Sequence, residues 1–191
     1  MRWQEEILEK AKRAKDASFN VLNYTTAQKN KFLEILSANI SQNERKILSA
    51  NNIDVKNAIK NNCSSAFIDR LTLTGERISK VLKGIEVVKN LPDPIGEKIS
   101  ETIRPNGLRI EKIRIPIGVI GIIYESRPDV TVEASILCLK SGNCVILRGG
   151  KEAKHSNKIL VSLIKKSLVE AGLSEDMVHL INSGGRKAVK Y

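Results

Sequence analysis

Residues 113–153 read IRIPIGVIGIIYESRPDVTVEASILCLKSGNCVILRGGKEA. Residues 117–124 are nearly all apolar, which predicts a strand covered on both faces. Pro128 suits the first position of a helix, where its missing N–H is no loss. That helix extends toward Lys140, and Gly142 ends it. Residues 144–147 form a second buried strand. After Gly149-Gly150 a helix carries Ile159, Leu160, Leu163, Ile164 and Leu168 and stops at Gly172. Residues 177–181 supply a third strand. Strands alternating with helices predict three parallel strands joined by right-handed crossovers, one half of a doubly wound nucleotide-binding sheet. There, strand ends face helix starts. Backbone N–H donors and basic side chains gather at one sheet edge, where a phosphate-bearing cofactor sits.

Upstream, the first ninety residues read as helices. Trp3, Ile7, Leu8 and Ala11 form an apolar stripe at helical spacing. Thr25 or Thr26 caps a second helix bearing Phe32, Leu33 and Leu36. Ser41 and Glu44 form a capping-box pattern that opens a helix through Ile47, Leu48 and Val55. Thr74 caps another, with Ile78, Leu82, Ile85 and Val88 on one face, and Leu91-Pro92-Asp93-Pro94 stops it. Residues 97–104 and 108–114 then alternate apolar and polar around Pro105-Asn106-Gly107, the pattern of a hairpin. Its strands are charged on one face, as in a ribbon lying on the surface or packing against another subunit. The fold class is therefore α/β: N-terminal helices, a β-hairpin and an incomplete doubly wound, Rossmann-like parallel sheet. The expected parts are a helical part over 1–95, a hairpin over 96–115 that serves as an oligomerisation element, and a cofactor-binding portion over 116–191. Ser183-Gly184-Gly185 should open another helix, and few residues follow it before Tyr191. A helix that begins as the chain runs out leads us to expect a truncated polypeptide.

The chain has 191 residues, 41% of them apolar but only 4% aromatic, so its core must be aliphatic. No apolar run approaches the roughly 20 residues that span a bilayer, and no signal-peptide core is present, so the expected location is the cytoplasm. Cys63, Cys138 and Cys144 form no metal or redox spacing and read as free thiols. Cys138 and Cys144 lie among apolar residues, where burial raises thiol pKa and makes them inert. His155 and His179 lack ligand partners at helical spacing, so no metal is expected. The net charge of +11 comes from 32 bases spread among 21 acids, with no basic block and no aromatic interleaving. That pattern argues against nucleic acid and fits a basic surface that attracts an anionic substrate.

The GxGxxG fingerprint is absent. Gly118 and Gly121 lie inside a strand, where they permit close packing. The anion site falls instead at the strand ends, Tyr124-Glu125-Ser126-Arg127 and Arg148-Gly149-Gly150-Lys151. Gly149 and Gly150 let a ligand approach the backbone. The Arg148 fork suits an extra phosphate such as the 2′-phosphate of NADP, although a lone arginine at a strand end also reads as a surface ion pair.

The run YESRPDVTVEASILCLKSGNCVILRGGKEA, continued by KEAKHSNKIL and preceded by DRLTLTGERI (69–78) and LPDPIGE (91–97), resembles a known family. It is that of γ-glutamyl phosphate reductase, or glutamate-5-semialdehyde dehydrogenase, in the aldehyde dehydrogenase superfamily. The reductase part of bifunctional pyrroline-5-carboxylate synthase is similar. The resemblance covers nearly the whole chain. It implies an oxidoreductase of proline biosynthesis that reduces γ-glutamyl phosphate to glutamate 5-semialdehyde with NADPH. It also implies a homo-oligomer served by a glutamate 5-kinase. In the family, the backbone after the first sheet strand lies along the cofactor, which points to Tyr124, Glu125, Ser126 and Arg127. A basic residue at the next strand end meets the adenosine ribose or its phosphate, which points to Arg148 beside Gly149, Gly150 and Lys151. The loop after the third strand, with Ser183 and Gly184, falls near the adenine and pyrophosphate. Family members commonly read SRPN where this chain has SRPD. The family's cysteine nucleophile attacks the acyl phosphate, and the thioester then takes hydride. It lies downstream of the matched segment, so the resemblance places it beyond Tyr191. None of the three cysteines here matches it. The resemblance therefore implies an N-terminal, NADP-binding portion that is inactive alone. The alternatives are a non-catalytic nucleotide-binding or oligomerisation module, as in a short paralogue or decayed gene, and a basic nucleic-acid-binding protein.

Overall fold

The computed structural model describes residues 3–189. Tyr191, the residue beyond which the nucleophilic cysteine is expected, therefore lies outside the described residues. Helices α1 (Trp3–Asn20), α2 (Thr26–Gln42), α3 (Glu44–Lys60), α4 (Ser65–Leu71) and α5 (Gly75–Asn90) come first. The hairpin strands β1 (Lys98–Ile103) and β2 (Arg109–Ile113) follow. Then come β3 (Val119–Ile123), α6 (Pro128–Lys140), β4 (Cys144–Arg148), α7 (Lys154–Glu170) and β5 (Val178–Leu180). β3, β4 and β5 form a parallel sheet in that order, with Val119 opposite Cys144 and Val145 opposite Val178. The fold is the α/β arrangement that the alternating pattern predicts.

Several boundaries follow from local chemistry. Thr25 caps α2: its hydroxyl accepts the Gln28 N–H, and the Gln28 side chain accepts the Thr25 N–H. Thr74 accepts the Arg77 N–H at the start of α5. Pro128 opens α6, and Gly142 (φ 73°) and Gly172 (φ 76°) turn the chain after α6 and α7. In the hairpin turn the Arg104 N–H donates to the Leu108 carbonyl at 2.9 Å.

Other expectations need correction. The capping box at Ser41 and Glu44 does not form, because Ser41 lies inside α2. Asn43 joins α2 to α3 and donates its side-chain amide to the Asn39 carbonyl instead. In α1 the buried residues are Ala14 and Ala17, whereas Leu8 faces out. Helix α4, capped by Ser64, escapes sequence reading because seven residues are too few to show a period. β3 is not covered on both faces. It is an edge strand whose surroundings leave Ile123 64% and Ile117 83% exposed. The central strand β4 is the buried one. After residue 184 the chain forms a 3-10 turn over Gly185–Val189 rather than an α-helix.

Helices α6 and α7 pack on each other and on β4 and β5, and α1 crosses the sheet against Gly121 and Ile146. Helices α2, α3 and α5 pack outside α6 and α7, so Phe32, Leu36, Ile47, Ile85, Ile136, Leu147 and Ile164 share one aliphatic core. Each such side chain contributes about 1.5–3 kcal/mol by leaving water. The hairpin carries an ion-pair network of Lys98, Glu101, Arg109 and Glu111 on one face, as its charges predict.

Candidate functional site

The sheet continues past its paired residues. The Tyr124 N–H donates to the Arg148 carbonyl at 3.0 Å, and the Ile181 N–H to the Leu147 carbonyl at 2.8 Å. The segments 124–127 and 148–152 therefore meet at the carboxyl edge of the strands, where open α/β sheets bind ligands. A cavity of about 290 Å³ opens there. Tyr124, Arg148, Gly149, Gly150 and Lys151 line it, together with Glu152 and Gly185.

Its walls are set by hydrogen bonds. The Tyr124 hydroxyl and Thr131 Oγ1 lie 2.8 Å apart, and Thr131 donates to Asn157 Oδ1 at 2.8 Å. Burial pushes the Tyr124 phenol up to about 12, so it stays protonated. A Cβ on Gly149 would stand 2.3 Å from Asn157 Nδ2 and 3.0 Å from the Tyr124 ring. One on Gly150 would stand 1.9 Å from Ser126 Oγ and 2.9 Å from the Ser126 N. On the Cβ side the room these glycines provide is thus filled by Tyr124, Asn157 and Ser126. Ser126 is buried and donates to Glu152 Oε2 at 2.8 Å.

Arg148 donates to the carbonyls of Ile181 at 2.8 Å and Gly185 at 2.7 Å. It thereby ties the loop after β5 to the end of β4, and only its remaining N–H groups are left for a ligand. Lys151 has no ion-pair partner among the described residues, so its ammonium is available. Glu152 escaped sequence reading, although an acid just after a strand and a Gly-Gly turn is the acceptor that a ribose diol needs.

The other predicted residues lie apart from this cavity. Glu125 is exposed, 3.5 Å from Arg70. Arg127 lines a second cavity, of about 400 Å³, with Asp69, Arg70, Asp129 and Glu133. Gly184 (φ 76°) packs on Trp3, where a Cβ would come within 2.7 Å of the ring. Ser183 faces Glu6, whose carboxyl is held below its usual range by Lys10 first and by Ser183 next.

The helix starts also differ from expectation. Asp54, only 2% exposed, accepts the N–H groups of His155 and Ser156 at 3.1 and 2.8 Å. It also accepts the Ser156 hydroxyl, and its Oδ1 lies 2.7 Å from His155 Nδ1. The first donors of α7 are therefore consumed by α3 and are not open to a phosphate. Nothing local in the sequence signals Asp54, which lies 101 residues from His155. At α6 the Val130 N–H is likewise taken by Asp129 Oδ1.

Burial pushes the thiols of Cys138 and Cys144 up to about 11 and about 12, as their apolar context predicts. Cys63 is half-buried against the small cluster of Ala58, Leu71 and Ala153. Cys138 and Cys144 are thus poorly suited to act as thiolates, and the nucleophile expected downstream of Tyr191 falls outside the described residues.

With three parallel strands, crossover helices and a carboxyl-edge cavity lacking GxGxxG, the chain can be compared with known proteins. No family model matches it. A γ-glutamyl phosphate reductase from Thermodesulfovibrio yellowstonii is 48% identical over 183 residues, covering 96% of this chain and 44% of that protein. The crystal structure of γ-glutamyl phosphate reductase from Thermotoga maritima superposes with a TM-score of 0.94 at 45% identity, over 96% of this chain and 44% of that one. An acetylating aldehyde dehydrogenase from Geobacillus thermoglucosidasius shares the fold, with a TM-score of 0.71 at 12% identity over 96% of this chain and 38% of that one. The fold is thus aldehyde dehydrogenase-like. Within that class the chain is a homologue of the γ-glutamyl phosphate reductases and matches their N-terminal part. It spans less than half the length of the curated relatives it matches.

Proposed function

We propose that this chain holds NADPH for the reduction of γ-glutamyl phosphate to glutamate 5-semialdehyde, a step of proline biosynthesis. The observation that carries this reading is the superposition of nearly the whole chain on a γ-glutamyl phosphate reductase at 45% identity. The cavity chemistry supports it. Lys151 offers a free ammonium to a phosphate, and Glu152 offers a carboxylate to ribose hydroxyls. Arg148 and Gly185 close the side toward β5. At about 290 Å³ the cavity suits the ribose-phosphate portion of a dinucleotide. NADPH, when bound, supplies the hydride.

Residues 1–95 brace the sheet, residues 116–191 hold the cofactor, and the hairpin over 96–115 joins copies into a homo-oligomer. A glutamate 5-kinase supplies the acyl phosphate. Among the described residues no helix is long and apolar enough to cross a membrane. The reaction is placed in the cytoplasm. The buried thiols of Cys138 and Cys144 are unfit as nucleophiles, so the chain by itself does not turn over.

NADPH titration followed by its fluorescence tests the reading. Weak saturable binding is expected, reduced about tenfold further by Lys151→Ala or Glu152→Ala. Binding indifferent to both substitutions overturns the site, and absence of any saturable binding overturns the cofactor assignment. Steady NADPH consumption with a γ-glutamyl phosphate source would overturn the expected inactivity.

A further inference from the structure

We infer that a third cavity, between the end of α3 and the start of α7, binds a small molecule bearing two or more phosphates. The cavity holds about 570 Å³, within the range of small-molecule sites. Asn57, Asn61 and Cys63 wall it on the α3 side, and Lys151, Lys154 and His155 on the other.

Two carboxylates also reach the cavity, but both are engaged. Asp54 is buried; it takes two backbone N–H groups and the Ser156 hydroxyl, and lies against His155 Nδ1. Glu152 accepts the Ser126 hydroxyl at 2.8 Å. The ammonium groups of Lys151 and Lys154 have no carboxylate partner among the described residues. Beyond the rim, Lys56, Lys60 and Lys158 are exposed, and residues 55–63 and 153–169 carry no acid. The field over the cavity is therefore positive.

These bases stand where a helix disfavours cations. Lys154 and His155 occupy the first turn of α7, the positive end of its dipole, and no acid accompanies them there. The first N–H groups of α7 are spent on Asp54, so the helix start does not itself cradle an anion. A residue pattern that works against its own helix is accounted for when a ligand supplies the missing negative charge. Two ammonium groups, with the side-chain amides of Asn57 and Asn61 at the end of α3, suit a diphosphate better than a single carboxylate.

Lys151 and Glu152 line this cavity and the cofactor cavity alike. A polyphosphate that takes the Lys151 ammonium withdraws it from the cofactor, so each ligand weakens the other by the same factor. That coupling rests on the proposed cofactor site, whereas anion binding does not.

Cys63 provides the readout, because Cys138 and Cys144 are buried. Alkylation of Cys63 by iodoacetamide, followed by mass spectrometry on the full chain, should slow severalfold as pyrophosphate saturates. At equal ionic strength, sulfate should protect far less. ADP tells a nucleotide from the inorganic ion: tighter protection by ADP assigns the site to a nucleotide, equal protection to pyrophosphate itself. Lys154→Gln and Asn57→Leu, both at exposed positions, should each weaken pyrophosphate about tenfold without lowering Tm. In the parent, pyrophosphate should raise the Kd for NADPH. In Lys154→Gln it should not, while NADPH alone binds as before. No saturable protection at millimolar pyrophosphate, equal protection by sulfate, or protection unmoved by both substitutions overturns the inference. So does a pyrophosphate effect on NADPH that persists in Lys154→Gln, since it marks competition within the cofactor cavity. If NADPH does not bind at all, the cofactor reading fails, and Cys63 protection still decides this one.

Discussion

At the scale of single residues, His179 is the group most altered by the fold. It lies 2% exposed in β5, 3.5 Å from Asp176. Burial first, and the Lys165 ammonium next, push its imidazole down to about 4, and Asp176 offsets them only in part. An unfolded histidine titrates near 6.5. As pH falls through that value the unfolded chain takes up a proton that the folded chain refuses until about pH 4. The stability contributed by neutral His179 is therefore complete above about pH 6.5 and is lost on the way down to about pH 4, by about 3 kcal/mol. Urea denaturation between pH 7 and pH 5 should show the decline, and His179→Asn should flatten it. A wild-type profile that is flat over that range would remove this account. The sequence predicted neither the burial nor the shift, because a histidine after a three-residue 3-10 turn carries no burial signal of its own.

At the scale of elements, α7 shows how a helix start can be committed elsewhere. Its sequence predicts a helix after Gly149-Gly150, and the helix is there, but Asp54 of α3 consumes its first N–H donors. Asp54→Ala would leave two backbone donors and the Ser156 hydroxyl without their buried acceptor. The expected cost is about 2–4 kcal/mol, read as a lower denaturant midpoint at unchanged slope. A variant as stable as its parent would show that water replaces the carboxylate. Caps such as Thr25 and Thr74 were legible because they bond three residues onward, within one turn. The cap of α7 was not legible because its acceptor comes from another helix. β3 fails for a related reason: an apolar run reports what can be buried, whereas its neighbours decide how much is covered. Ile123 stays exposed because no strand pairs outside β3 among the described residues.

At the scale of the whole molecule, the hairpin stands apart. Its strands pair with each other and share no extensive contact with other elements, and Ile103 is 68% exposed opposite Arg109. Placed on the proposed self-association surface, Ile103→Glu should lower the sedimenting mass of the chain toward that of a monomer. The new carboxylate would face Arg109, so the hairpin itself should persist, and Tm should move by no more than about 2 °C. An unchanged mass would rule this strand out of the interface. The candidate site belongs to this scale too. Tyr124 and Arg127 are three residues apart and read as one motif, yet they line different cavities.

Apart from α4 and the turn after residue 184, element type and order, the parallel crossover pattern, the hairpin turn and the inert thiols of Cys138 and Cys144 were legible in the chain. Periodicity, caps and apolar context act between residues a few positions apart. Packing alone settled which donors are spent. Arg148 is turned onto the Ile181 and Gly185 carbonyls, Gly149 and Gly150 are filled from the side by Asn157, Tyr124 and Ser126, and α7 is capped by Asp54. Several of these contacts join groups far apart in sequence, and all depend on how the two strand ends are packed. A hydrogen bond made inside the fold is one that a ligand cannot have, and no local pattern of residues records which bonds those are.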